Sequence, residues 1–441
     1  MPKPILSLLC FLALAGPGPA LGGEIRVSLS EAVDRALSGN RALQATRERA
    51  LAAHSSADMT DRLLWPRISL SSQLSRTDNP AMVFMGKLNS GVIEARDFIP
   101  ASLNDPSSRS QLSTRLAVEA PVDLFSRFGR LKDAGRTLAR SADAAGREKA
   151  LDLRLRVIEA YSRAAVSAEV VSVVEAAVGA SRAREEEVEA KVAEGAALRA
   201  DLLRVRARRR EREAELAGRL ADVAGAKALL NELLGSDGET TFVPSAIPTP
   251  VGGPVEDEGT LVARALANRP GLEALRLRAE AATGAAEADH KARLPEIGVF
   301  AQLTDDRGGS EGQQSYAVGG FLRVSLLDPT KNARQAEAQL AAHAFELDRL
   351  AALDEVRRSV RTARERVRSG VAAVNAAQGG AEEGQEALRV VQERRREGLA
   401  TLTDELETEA ASLAARLREL SAQAELAVAE ASLERAIGGS K

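Results

Sequence analysis

Two stretches of the sequence decide the fold: Glu194–Leu203 reads EGAALRADLL, and Glu397–Leu406 reads EGLATLTDEL. In each stretch a long helical pattern ends at a glycine, and a second helical pattern begins near an aspartate. A glycine just past a helix end, followed by an acidic residue in the next first turn, is typical of a helical hairpin. Gly398 and Asp404 follow Gly195 and Asp201 by 203 positions. The chain is therefore predicted to contain a duplicated helical hairpin.

Each hairpin is predicted to begin with a very long helix. No proline occurs from about Arg127 to Ala193, or from about Thr330 to Arg396. A helix of roughly 65 residues is about 100 Å long. In the first helix an apolar stripe from Leu153 to Val178 has heptad spacing, and a second stripe from Ile158 to Ala168 flanks it. Two stripes on one helix predict two helical neighbours, as in a wall or a tube.

Four segments with alternating apolar and polar residues are predicted to be β-strands. They are Arg67–Leu74, Arg115–Ala120, Ile297–Leu303 and Tyr316–Leu326. A long connector over about 77–112 separates the first two, and a shorter loop around Asp305 to Gln314 separates the others. Four amphipathic strands cannot close a barrel alone, so we expect several chains to donate four strands each to a shared barrel. Two ordinary hairpins on a soluble core are the alternative.

The series helix, strand, loop, strand, very long helix, tip and helix occurs twice in the pattern. We predict a signal peptide over 1–22, a first structural repeat over 23–235, a Pro/Gly-rich linker over 236–259 and a second repeat over 260–441. Cys10, the single cysteine, would be removed with the signal, which leaves a chain without disulfides. No later segment is expected to have the length and apolarity of a transmembrane helix.

The composition and the motifs give no support for catalysis or nucleic-acid binding. Aromatic residues make up only 3 % of the chain, a value that suits long helices better than a thick globular core. The formal net charge is −3, which does not favour nucleic acid as a partner. His54, His290 and His343 lie in separate helical stretches without metal-ligand spacing. We therefore predict no enzyme activity, no cofactor and no metal site.

Several duplicated motifs together resemble the TolC family of outer-membrane efflux proteins. They are the segment Leu29–Val33 (LSEAV), the junctions Leu64–Ile68 (LWPRI) and Arg293–Ile297 (RLPEI), and the two Gly-x5-Asp tips. The resemblance covers essentially the whole mature sequence. It implies a mainly α fold with a small β part, built from duplicated strand–long-helix-hairpin units. It also implies a trimeric 12-stranded outer-membrane β-barrel, with four strands per chain, that continues into a periplasmic α-helical coiled-coil tunnel.

The same resemblance implies a passive channel in the outer membrane with its helical tunnel in the periplasm. Such a channel is the exit duct of a tripartite efflux or type I secretion system that exports small molecules or polypeptides. Its implied partners are two further copies of the chain, outer-membrane lipid, a periplasmic adaptor (membrane fusion) protein and an inner-membrane pump of RND or ABC type. The residues also allow an alternative, namely a secreted or periplasmic coiled-coil scaffold protein that binds partners without forming a pore.

The resemblance also implies which residues are functional. Asp404 and Glu407 match acidic positions that narrow the periplasmic entrance, with Glu407 in place of the more usual Asp, and Asp201 is the equivalent in the first repeat. The alternative is that acids in a first helical turn only complement the helix dipole. The adaptor-docking tips comprise Lys191, Glu194, Gly195, Ala196, Arg396, Gly398, Leu399 and Thr401. For the two glycines, the alternative is that they only permit the turn.

Overall fold

A computed structural model describes residues 23–236, 238, 240–253 and 256–439 of the chain. The predicted signal peptide over 1–22, with Cys10, lies outside the described residues. The elements of the first half are β1 (Glu24–Val27), α1 (Leu29–Gly39), α2 (Arg41–Asp61), β2 (Arg67–Thr77), α3 (Pro80–Asn89), a 3-10 helix (Ala95–Phe98), α4 (Pro100–Asn104), β3 (Arg109–Val122), α5 (Arg127–Ala193) and α6 (Arg199–Leu233). Those of the second half are β4 (Thr241–Pro244), α7 (Glu258–Asn268), α8 (Pro270–Lys291), β5 (Glu296–Gly308), β6 (Glu311–Arg323), α9 (Thr330–Arg396) and α10 (Leu402–Ala436).

The two long hairpins have equal helix lengths. Helices α5 and α9 each contain 67 residues, and α6 and α10 each contain 35. In both halves a pair of shorter helices and two antiparallel strands precede the hairpin. The prediction of a mainly α fold with a small β part is therefore confirmed, and so are both proline-free long helices.

The chain divides into two compact units. Unit one comprises the described residues up to Thr46, the segment Arg147–Arg269 and the described residues from Asp354 onward. Unit two comprises Arg47–Gly146 and Pro270–Leu353. Each unit therefore draws on both halves of the sequence.

Unit one is a packed assembly of helices with a small parallel sheet. Strands β1 and β4 pair in parallel, and the hydroxyl of Tyr161 on α5 donates to the Val27 carbonyl of β1 at 3.0 Å. Tyr161, Leu230 and Phe242 are fully buried there. Strand β4 lies in the segment that the sequence suggests is a linker, and neither β1 nor β4 is predicted. Both strands are only four residues long, too short for a periodic pattern.

The predicted apolar stripes of α5 are largely buried in unit one. Val157, Ala164 and Val174 are almost inaccessible, and Val174 packs with Leu420 of α10. An 18-residue window of α5 has a mean hydropathy of 1.5, with 39 % of it buried, so by length and composition it could cross a membrane. The expectation that no later segment reaches this apolarity is therefore wrong for α5. The core helix of a soluble protein has the same composition.

Unit two contains a four-stranded antiparallel sheet in the order β2-β3-β5-β6. The register places Leu70, Leu116, Leu303 and Tyr316 side by side across all four strands. Because side chains alternate along a strand, this face carries most of the apolar residues and the opposite face most of the polar ones. The four predicted strands are all present. Strands β5 and β6 extend into the predicted loop, so their turn spans only the two residues between Gly308 and Glu311.

The long connector after β2 is partly helical. It contains α3, the 3-10 helix and α4, and Lys87 of α3 pairs with the buried Asp97 at 2.5 Å. Gly86 of α3 lies against the side chain of Gln111, a residue of the polar face of the sheet. The connector therefore folds over the polar face, and the apolar face stays exposed.

Candidate functional site

Both hairpin tips turn at a glycine with a left-handed backbone. The φ angle is +74° at Gly195 and +77° at Gly398. The amide of Ala196 donates to the Lys191 carbonyl at 2.7 Å, and the amide of Leu399 donates to the Arg394 carbonyl at 2.8 Å. These bonds close the helix end in the manner of a Schellman motif, which requires a positive φ at the glycine. The predicted glycine turns are confirmed.

Asp404 forms part of the N-terminal cap of α10. Its Oδ2 accepts from the Thr401 amide at 2.9 Å and from the Thr401 hydroxyl at 2.7 Å, and the Asp404 amide donates back to that hydroxyl at 3.2 Å. This reciprocal arrangement is a capping box. The hydrogen bonds from Thr401 lower the pKa of the Asp404 carboxyl below its ordinary value. Asp404 therefore has a structural task at the tip, and its side chain is exposed and charged.

The other two predicted gate residues have different surroundings. Glu407 is exposed and lies three residues beyond Asp404 on the same helix. Asp201 is half-buried at the start of α6, and its Oδ1 lies 3.4 Å from Nη1 of Arg204. The cap of α6 is Leu198, which has no side-chain hydrogen bond. The two tips thus share the glycine turn but not the capping chemistry.

Most of the predicted docking residues lie at the surface of the tips. The exposed ones are Lys191, Glu194, Gly195, Ala196, Arg396, Gly398, Leu399 and Thr401. Leu399 leaves 64 % of its surface accessible, an unusual position for a leucine at the end of a hairpin. Lys191 is held by Glu187 one turn earlier at 2.6 Å. These side chains present a mixed surface with one apolar group at the turn.

The structure adds one tip residue that the sequence interpretation does not identify. Glu405 of α10 is only 2 % accessible, and its carboxylate pairs with Arg184 of α5 and Arg395 of α9. The three side chains, which we call the Glu405 clamp, join three of the four hairpin helices. The heptad pattern does not distinguish Glu405 from its exposed neighbours. The run of arginines at 394–396 is the signal that an anion lies nearby.

The Glu405 clamp borders a polar cavity of about 180 Å³ at the tips. Arg184, Lys191, Arg395 and Arg396 line it together with Glu187 and Glu405. In the part of the chain that the structure describes, no group of three or more His, Cys, Asp or Glu residues is arranged to hold a metal ion. The chemistry available at the tips is therefore electrostatic and conformational.

A family model described as "Outer membrane efflux protein" matches residues 32–236 and 261–439, which is most of the chain. The chain belongs to the outer membrane efflux protein family. This efflux protein is therefore an outer-membrane exit channel, and the family is one of channels rather than enzymes. The family resemblance and the outer-membrane location are confirmed, and the soluble scaffold is not supported.

The fold of this efflux protein is shared by solved outer-membrane channels. The Campylobacter jejuni CmeC outer membrane channel has a TM-score of 0.80 and 15 % identity, covering 99 % of this chain and 94 % of that one. The outer-membrane channel OprN has a TM-score of 0.78 and 20 % identity, covering 96 % and 94 %. The Vibrio cholerae outer membrane protein VceC has a TM-score of 0.76 and 18 % identity, covering 93 % and 96 %. No curated protein sequence matches the chain.

Proposed function

We propose that three copies of this efflux protein assemble into a 12-stranded outer-membrane barrel. The observation that carries the proposal is the uncovered apolar face of the sheet. Ile68, Leu70 and Val318 leave 69 %, 71 % and 71 % of their surfaces accessible. An apolar face of this extent is stable against lipid and unstable in water.

The edges of the sheet support the same assembly. Strands β2 and β6 are the edge strands, each 11 to 13 residues long. A strand of about 9–11 residues spans a bilayer when it is tilted. Long edges with unpaired backbone groups are not tolerated in lipid, so β2 of one copy pairs with β6 of the next until the barrel closes.

The long helices also offer a surface for a second copy. Leu340, Leu347 and Leu350 of α9 are exposed and recur seven and three residues apart. This is the spacing of a coiled-coil seam, and a seam of exposed leucines favours a helical partner. A neighbouring copy in the trimer would cover it and extend the helical wall.

The proposed partners of the tips are a periplasmic adaptor and, beyond it, an inner-membrane pump of RND or ABC type. The channel is passive, so the energy for export comes from that pump. The eight exposed docking residues, with Leu399 at the turn of the second hairpin, support adaptor contact at this end. The barrel end contacts outer-membrane lipid.

Asp404 and Glu407 of three copies form the proposed periplasmic gate, with Asp201 beside them. The support is that both α10 carboxylates are exposed and lie on one helix face. The capping bonds lower the pKa of the Asp404 carboxyl and so keep it ionised. A ring of carboxylates attracts cations and repels anions.

Fractionation and mass measurement test the assembly. The full chain should appear in the outer-membrane fraction, and the detergent-solubilised protein should have the mass of a trimer. Cysteine pairs placed on β2 and β6 should form disulfide bonds between copies, because those strands would be neighbours only in the closed barrel. A soluble monomer without such cross-links refutes the proposal.

A further inference from the structure

A cavity lies where the strands of unit two meet its helices, and its chemistry is unlike that of the rest of the sheet. It has a volume of about 110 Å³ and is lined by the segments that join β3 to α5, α8 to β5 and β6 to α9. Four cationic side chains line it, Arg127, Lys291, Arg323 and Lys331, against two carboxylates, Asp123 and Glu296. We call it the junction cavity.

Both carboxylates of the junction cavity already have partners. Asp123 caps α5, where its two oxygens accept from the amides of Arg127 at 2.8 Å and Gly129 at 2.9 Å. Glu296 lies 3.6 Å from Arg323. The negative charge of the cavity is therefore used locally.

The three remaining cations retain hydrogen-bonding capacity. Lys291 Nζ donates to the Phe125 carbonyl at 3.0 Å, and Lys331 Nζ donates to the Ala292 carbonyl at 3.2 Å. An ammonium group has three donors, so further donors remain on each lysine. Arg127 Nε is buried and has no hydrogen-bond partner among the described residues. No ion pair within the described residues joins Arg127, Lys291 or Lys331 to a carboxylate. The cavity therefore has an excess of positive charge and unused donors, which favours an anion.

The rim of the junction cavity is apolar. Val122 and Ile297, which lie on the apolar face of the sheet, line it, and the lining residues Leu124 and Leu294 are exposed. Leu326 and Leu327, which follow β6, are almost fully exposed. A free inorganic anion gains nothing from such a rim, whereas a lipid places its phosphate among cations and its acyl chains on apolar surface.

We propose that the junction cavity binds the phosphate group of a glycerophospholipid in the leaflet at the periplasmic ends of the strands. This inference rests on the proposed function, because the strands must span the outer membrane for their helix-side ends to lie at a lipid headgroup layer. Lys291 and Lys331 donate to the phosphate oxygens and Arg127 adds positive charge. The lysines also join the strand–helix connections through their backbone contacts, so a bound lipid would stabilise the ends of the barrel strands.

Native mass spectrometry of the delipidated, detergent-solubilised trimer tests the proposal. Dioleoylphosphatidylglycerol should be retained at about one lipid per chain. Dioleoylglycerol, which has the same chains without the phosphate, should bind at least tenfold more weakly. Inorganic phosphate should displace the phospholipid only at concentrations far above those of the lipid.

Substitutions identify the site. The double variant Lys291→Gln/Lys331→Gln should lose at least tenfold in phosphatidylglycerol affinity, and Lys291→Arg/Lys331→Arg should retain binding. Lys149→Gln removes the same charge from an exposed position of α5 in unit one and should leave binding unchanged. If the double variant does not assemble, the single variant Lys331→Gln is measured, and the comparison of the two lipids in the wild type does not depend on any variant.

Each result decides between the inferences. Equal binding of the two lipids overturns the phosphate site. Equal affinity for inorganic phosphate assigns the cavity to a free anion and overturns the lipid. Equal loss in Lys149→Gln shows general charge attraction and overturns the assignment to the junction cavity. A wild-type chain that is not a trimer refutes the proposed function, whereas a trimer without selective lipid binding refutes only this inference.

Discussion

Replacing Glu405 by glutamine should loosen the tips of both hairpins. Glu405 keeps the shape of its site as glutamine but loses the charge that holds Arg184 and Arg395. Two guanidinium groups would then face each other without a carboxylate between them. Because these arginines come from α5 and α9, the hairpins of the two halves should separate more readily at this end of unit one.

The size of the effect follows from the burial of the three side chains. Each Arg–Glu pair contributes about 4 kcal/mol of attraction at about 4 Å and an effective dielectric constant of about 20, before desolvation is subtracted. Removing one member of a buried pair typically costs about 3–5 kcal/mol. The Glu405 side chain is 3 % exposed, but those of Arg184 and Arg395 are 19 % and 18 % exposed and can regain some water. Both also approach Glu187, at 3.7 Å and 4.0 Å. We therefore expect the low end, about 3 kcal/mol, or roughly a hundredfold in the local opening equilibrium.

Hydrogen–deuterium exchange of the trimer measures this opening directly. Amides in 184–196 and 393–406 should exchange roughly a hundredfold faster in Glu405→Gln. Amides of the four-stranded sheet should be unchanged. Glu425→Gln, which neutralises an exposed carboxylate on the same helix, is the matched control and should behave as the wild type. If the tip amides of Glu405→Gln stay within about twofold of wild-type exchange, the reasoning about the Glu405 clamp is wrong.

Three further predictions concern the tips. Replacing Asp404 and Glu407 with alanine should raise single-channel conductance and weaken block by multivalent cations; unchanged currents would contradict the gate. In Glu407→Gln, cation block should persist as the pH falls from 7 to 5, because hydrogen bonds from Thr401 lower the pKa of the Asp404 carboxyl. The stability that this cap contributes is present above the unfolded pKa and is lost only as the pH falls through the lower folded pKa. Thr401→Ala should move the loss of block to higher pH, and an identical profile would exclude the cap as the cause. Finally, Gly398→Ala should destabilise the second tip by about 1 kcal/mol, since φ is +77° although an added Cβ meets nothing within 4 Å. Gly379→Ala, in a helix and equally open, should instead stabilise α9 by about 1 kcal/mol in the same thermal unfolding measurement.

The strands show how far local patterning reaches. Ile68, Leu70 and Leu74 alternate with polar residues, and β2 forms where that alternation predicts it. Strand β5 continues beyond its predicted end through Asp305 and Arg307, which have low strand propensity. Pairing with β3 and β6 stabilises that extension, and pairing is not visible in a single segment.

The connector and the short parallel sheet escaped prediction for a related reason. Helix α3 begins at Pro80 with Asn79 as its cap, but its sequence contains no amphipathic stripe long enough to stand out from a loop. Contacts with the polar face of the sheet and the Lys87–Asp97 pair hold it in place. Short elements of this kind depend on tertiary neighbours more than on their own propensity.

The sequence alone determined the duplicated plan, the lengths of the long helices and the glycine turns at the tips. Each of these depends on local rules: proline is excluded from helix interiors, apolar residues recur along one helix face, and only glycine readily adopts the positive φ of the turn. The tertiary structure decided which charged residues meet. Glu405 is distant in sequence from Arg184, and Lys331 is distant from the carbonyl of Ala292, yet each pair is in contact. Such contacts arise only when separate helices pack, because a charged side chain carries no local mark of the partner that burial will give it.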